Sequence, residues 1–111
     1  MPTESPTLDR VFQALADPTR LAVLERLSDG PAAASELARP FDMALPSFTQ
    51  HLKVLETCGL VMSHKRGRVR TYRLAPERLK EAEGWMAERR RLWERRLDQL
   101  DEYLMQLKDR Q

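Results

Sequence analysis

The chain has 111 residues, 41% hydrophobic and 32% charged, which suits one small domain with a modest core. Its 19 basic and 17 acidic residues leave a net charge of +2, and a pI near 9.0 is compatible with nucleic acid without demanding it. One cysteine excludes an internal disulfide framework; no apolar run approaches the ~20 residues of a membrane span, and MPTESPTLDR lacks the blocks of a signal peptide, so a cytoplasmic protein without membrane partners is expected.

Residues 1–7 are polar with two prolines and read as a loose arm. Leu8, Val11, Phe12 and Leu15 then follow the i, i+3, i+4, i+7 spacing of an amphipathic helix. Asp17-Pro18 opens a second helix, with Asp as N-cap and Pro where a missing N–H costs nothing. Leu21, Leu24 and Leu27 are its expected inward residues, and Asp29-Gly30-Pro31 ends it. A short third helix is expected over 33–39 with Leu37 and Ala38 inward, followed by a turn at Pro40-Phe41-Asp42.

The stretch 43–74, MALPSFTQHLKVLETCGLVMSHKRGRVRTYRL, organises the rest. Leu45, Phe48, Leu52 and Leu55 form one apolar stripe at helical spacing. Ser47, Gln50, His51 and Lys53 fall toward solvent, and Thr49 lies nearer the stripe. Pro46 sits in the first turn, which tolerates it, and Cys58-Gly59 ends the helix, Gly taking the left-handed conformation. Two strand-like runs, 60–65 and 69–74, are joined by Arg66-Gly67-Arg68. Two helices joined by a short turn, then a basic hairpin, are the order of a winged helix-turn-helix. Residues 43–75 carry six basic side chains against one acid, Glu56, so the charge surplus of the chain sits on this unit.

After Ala75-Pro76 a helix is expected to run to about residue 108. Trp93, Leu97, Leu100, Leu104 and Leu107 alternate spacings of four and three, with Met86 one heptad before Trp93. The nine basic and nine acidic residues of 76–111 solvate its other faces. Such a helix is roughly 45–50 Å long, too long for its apolar edge to be covered by so small a domain. The same helix of a second subunit is the natural cover. The expected fold is therefore mainly α with a small β-hairpin, in the order α-α-α-α-β-β-α: a winged helix-turn-helix over 8–75 and a long C-terminal dimerisation helix over 76–111.

LADPTRLAVLERL (15–27), SELA (35–38), SFTQHLKVLETCGLV (47–61) and RGRVRTYRL (66–74) together resemble the ArsR-type winged-helix repressors of bacteria, in register over roughly 8–75. The resemblance implies a homodimeric transcriptional regulator, usually a repressor, on an inverted-repeat DNA operator, with the first and last helices at the dimer interface. Leu8, Val11 and Phe12 then join Trp93, Leu97, Leu100 and Leu104 there. Metal-sensing members carry Cys-x-Cys in the third helix or His and carboxylates on the last helix. Here 35–40 reads SELARP and 76–111 contains no histidine, so neither site can gather the ~4 ligands of zinc. The chain looks like the branch without metal-sensing cysteines, and no metal or other cofactor is expected. Ala44 stands where close relatives tend to have a capping Ser.

Taken alone, Ser47, Thr49, Gln50, His51 and Lys53 suit any solvated helix face. The basic hairpin beside them favours DNA: Ser and Thr suit phosphates and base edges, and Gln binds adenine bidentately. Lys65, Arg66, Arg68 and Arg70 are either a solubilising strand edge or a wing on phosphate or minor groove, and the choice of Arg at three of four positions favours the wing. Tyr72 and Leu74 read as core rather than base-stacking groups. Cys58 reads as a small buried hydrophobe before a redox sensor, and His64 has no visible partner ligand. No Gly-rich phosphate loop or nucleophile–base pair points to an enzyme. A protein-interaction module built on the last helix and a non-specific nucleic-acid binder are the competing classes.

Overall fold

The computed structural model describes residues 8–110; the arm expected at 1–7 lies outside them. Five helices and three short strands follow in the order α1 (Leu8–Leu15), α2 (Pro18–Leu27), β1 (Ala32–Ala33), α3 (Ala34–Ala38), α4 (Leu45–Thr57), β2 (Val61–Arg66), β3 (Val69–Leu74) and α5 (Pro76–Asp109). The architecture is the expected winged helix-turn-helix with one addition. β1 pairs antiparallel with β3, Ala32 opposite Tyr72 and Ala33 opposite Thr71, giving a three-stranded sheet in the order β1-β3-β2.

Local chemistry explains the boundaries. Asp17 is extended at φ −152°, and its Oδ2 accepts the Arg20 backbone N–H at 3.0 Å, the N-cap of α2. The Glu36 carboxylate reaches back to the Ala33 N–H at 2.9 Å to start α3. Helix α4 closes in a Schellman turn: Gly59 N–H donates to Glu56 O at 3.0 Å and Leu60 N–H to Leu55 O at 2.9 Å, with Gly59 at φ +78°. The wing turns in two residues, Gly67 at φ +63° and Arg68 without a positive φ, the pattern of a II′ hairpin.

Phe48, Leu52 and Leu55 of α4 pack with Val11, Val23, Leu37, Leu60 and Val61 at the centre of the core. Two stripe residues do not follow the expectation. Leu45 is 64% and Leu21 49% exposed. Leu45 stands at the first position of α4, beyond the core's edge, and α2 turns Val23, Leu24 and Leu27 inward instead. Helix α1 packs on α5, with Phe12 edge-on to Trp85 at 5.8 Å between centroids. Beyond that contact α5 leaves the domain. The radius of gyration is 20.6 Å, against about 13 Å for a compact chain of this length, and the long axis reaches 76 Å.

Two glycines should respond oppositely to alanine. Gly59→Ala forces a side chain into the left-handed region, with its Cβ 3.0 Å from Arg78 Cγ; urea melts should show a loss of about 1–2 kcal/mol. Gly84 lies inside α5 with open space around it, and Gly84→Ala should gain about 0.5–1 kcal/mol.

Asp17 predicts a pH effect. The Arg20 N–H held by its carboxylate, aided by the Arg20 guanidinium, keeps its pKa below the usual range. A depressed folded-state pKa contributes stability above the unfolded value of about 3.9 and loses it as pH falls through the folded value. Stability measured by urea between about pH 3 and 7 should therefore carry an acid limb that Asp17→Asn, a capping residue without that titration, flattens. Asp17→Ala should cost about 1 kcal/mol at neutral pH.

Candidate nucleic-acid interface

The outer face of α4 follows from the burial of its inner one. With Phe48, Leu52 and Leu55 in the core, a turn of about 100° per residue puts Gln50 and Lys53 opposite them, with Ser47 and Thr49 on the two flanks. All four are exposed, Thr49 included, although its spacing suggested otherwise. The N-cap residue Ala44 is extended and offers no side-chain hydrogen bond, so the first turn's N–H groups are uncapped by its own side chain.

His51 departs from the expected free face. Its Nδ1 lies 3.0 Å from Arg20 Nη1. A guanidinium only donates, so Nδ1 accepts and the ring proton belongs on Nε2. Asp17 Oδ2 is 3.7 Å from the same nitrogen, which is no ion pair while Nδ1 accepts from Arg20. The same arginine donates from Nε to Ala14 O at 2.7 Å and from Nη2 to Gln13 O at 3.3 Å, closing the C-terminal end of α1. His51 thus ties α4 to α1 and α2 through a half-buried contact, and only the far side of its ring faces outward. Arg20 carried no sequence signal, being 31 residues from its partner.

The wing presents its cations unequally. Strand alternation puts Lys65 and Arg70 on the Tyr72 side and Arg66 on the other, paired with Val69; Arg68 is at the turn. All four are exposed. Arg70 is also tethered: its Nη1 donates to Ser63 Oγ at 2.8 Å, and that hydroxyl donates to Glu56 Oε2 at 2.7 Å. The single acid of this unit therefore holds one of its six cations and joins the end of α4 to the base of the wing. Tyr72 is buried beside Ala32, and burial pushes its phenol pKa up, so it is a core residue and not a stacking platform. His64 is exposed on the side of Thr71.

The residues expected at a dimer interface divide. Trp93, Leu97, Leu100 and Leu104 are each at least half exposed on α5. Leu8 and Phe12 are partly buried at the α1–α5 contact. Val11 is fully buried in the core of its own domain, which takes it out of reach of a partner: the family resemblance pointed to α1 without distinguishing the side facing this core. Cys58 is buried, its Sγ 3.6 Å from Arg10 O. Among the described residues no three of His, Cys, Asp and Glu gather as a metal-binding group, and no helix is long and apolar enough to cross a membrane.

A model of a helix-turn-helix domain matches residues 15–64. The chain is 52% identical over 68 residues to the HTH-type transcriptional regulator Rv2034 of Mycobacterium tuberculosis, covering 61% of this chain and 64% of that regulator. It is 32% identical over 79 residues to the transcriptional repressor SdpR of Bacillus subtilis, covering 71% of this chain and 88% of the repressor. A crystal structure of an ArsR family transcriptional regulator superposes with a TM-score of 0.76 at 54% identity, over 82% of this chain and 97% of that one. With a winged helix-turn-helix, an exposed polar α4 face and relatives matched over most of their length, this chain belongs to the ArsR family of transcriptional regulators.

Proposed function

We propose that the chain acts as a homodimeric, sequence-specific repressor on an inverted-repeat operator, independent of metal ions. The winged domain, 8–75, reads DNA, and 76–111 pairs two subunits. The observation that carries this reading is the exposed face of Ser47, Thr49, Gln50 and Lys53 beside the cationic wing tip of Arg66 and Arg68, neither of which has a carboxylate partner among the described residues. α4 enters the major groove, where each base pair shows its own donor and acceptor pattern. The wing lies on backbone or minor groove, where charge counts and sequence is barely read. Repression is favoured by the likeness to a repressor, and metal independence by the missing Cys pair and the histidine-free last helix.

The test is a salt series on selected and scrambled duplexes. Gln50→Ala should cost about 1–3 kcal/mol on the selected sequence, relax one or two base positions per half-site and leave the salt slope alone. Arg68→Ala should weaken both duplexes and shrink the slope by about 0.9 for each phosphate it no longer neutralises. Half-site centres should lie about 10 base pairs apart or a small multiple of that. A wild type that binds every duplex alike would make the chain a non-specific binder. Stoichiometric metal should leave the titration unmoved.

Assembly is tested separately. Sedimentation should show a dimer at micromolar concentration and a monomer for the Leu97→Glu, Leu104→Glu double variant, whose charges would face each other across the α5 seam. A wild type already monomeric there rejects the proposed interface.

A further inference from the structure

We propose that Leu45 is a specificity-determining residue that reads a thymine through its 5-methyl group. The inference rests on the proposed docking of α4 in the major groove. Leu45 is the first residue of α4 and is 64% exposed. Phe41 and Met43, just before it in the chain, pack against the core, but Leu45 does not. One turn on, along the same edge, is exposed Thr49, and Ala44, Leu45 and Pro46 together make the first turn apolar and uncharged. Recognition helices reach base edges with their N-terminal residues, so this turn goes deepest into the groove.

The chemistry of the groove selects the partner. Its edges are donors and acceptors at every base pair, and the thymine methyl is the one apolar feature among them. A leucine pressed on guanine or cytosine strips water from polar groups without replacing their hydrogen bonds. Pressed on a thymine methyl, both partners leave water favourably. Leu45 therefore selects thymine at one position of each half-site, by a contact distinct from the hydrogen bonds of Gln50.

The experiment uses the full chain and the duplex it selects from random DNA. Each thymine of a half-site is replaced in turn, symmetrically in both half-sites, by deoxyuridine, which removes only the methyl. The wild type should lose about 4-fold in affinity per half-site at one position, the worth of one buried methyl group, and little at the others. Leu45→Ala should bind the thymine duplex more weakly and show no further loss with uracil there; Leu45→Met should restore the sensitivity. Matching thermal melts of the variants confirm that they fold, as expected for an exposed position. Uracil tolerated at every position, or a Leu45→Ala protein that keeps the full uracil penalty, overturns the role of Leu45 while leaving DNA binding intact. A wild type that selects no duplex overturns the sequence-specific reading and this inference with it.

Discussion

Leu60 is fully buried and hydrogen-bonded on both sides. Its N–H donates to Leu55 O in the last turn of α4, and its carbonyl accepts the N–H of Ala75 at 3.0 Å, one residue before α5 begins. The helix with the exposed polar face, the wing and the long last helix all leave from this point. The geometry exists only because Gly59 takes a left-handed φ without a Cβ penalty. If the chain ran on helically past Cys58, β2 would lose its direction, β3 would lose its partner and α5 would start elsewhere. The hairpin is thus a closed excursion from Leu60 to Ala75, its base fixed by hydrogen bonds to α4 and across to Ala75.

A second constraint is one of area. A core of this size covers the near end of α5, where Ala82 is buried and Phe12 meets Trp85. It has nothing to offer the far end, where Trp93, Leu97, Leu100, Tyr103 and Leu104 line an exposed stripe. Single exposed hydrophobes are ordinary, but a stripe of this length on one helix face is not. This mismatch between helix length and domain size, more than any single contact, is the physical support for the proposed dimer.

What was legible in the sequence was local or periodic. Asp17-Pro18, Gly59 and Gly67 each announce a backbone event within a few residues, and each event occurs there. The alternation of Tyr72 with Arg73 placed the tyrosine in the core. β1 was illegible because two alanines have no pattern of their own; they become a strand only through pairing with Thr71 and Tyr72. Leu45 was misplaced because periodicity tells which side of a helix is apolar but not where the neighbouring elements end. Val11 was put at an interface by the family resemblance, which names the helix and not its side. The Arg20–His51 and Arg70–Ser63–Glu56 contacts arise from tertiary approach, so no motif carries them.

These tertiary contacts change what the charge count means. Six cations against one acid suggest a uniformly attractive surface, yet the acid is not spread evenly among them. Glu56 acts through Ser63 on Arg70 at the base of the hairpin, which orients that guanidinium and reduces its availability to a distant phosphate. Arg66 and Arg68 at the tip keep theirs. The wing is therefore a lever with a pinned root and a cationic end, and the pin is on α4 itself. A shift of α4 would carry the root of the wing along with it, so helix and wing move as one body through a hydrogen-bonded bridge as well as through the core. His51 does the same on the other side, tying α4 by Arg20 to the ends of α1 and α2. With α1 packed on α5, the path from the exposed polar face of α4 to the long helix runs through packed side chains and short hydrogen bonds. In the proposed dimer, a change in how the two long helices pair would thus have a mechanical route to the spacing of the two α4 helices.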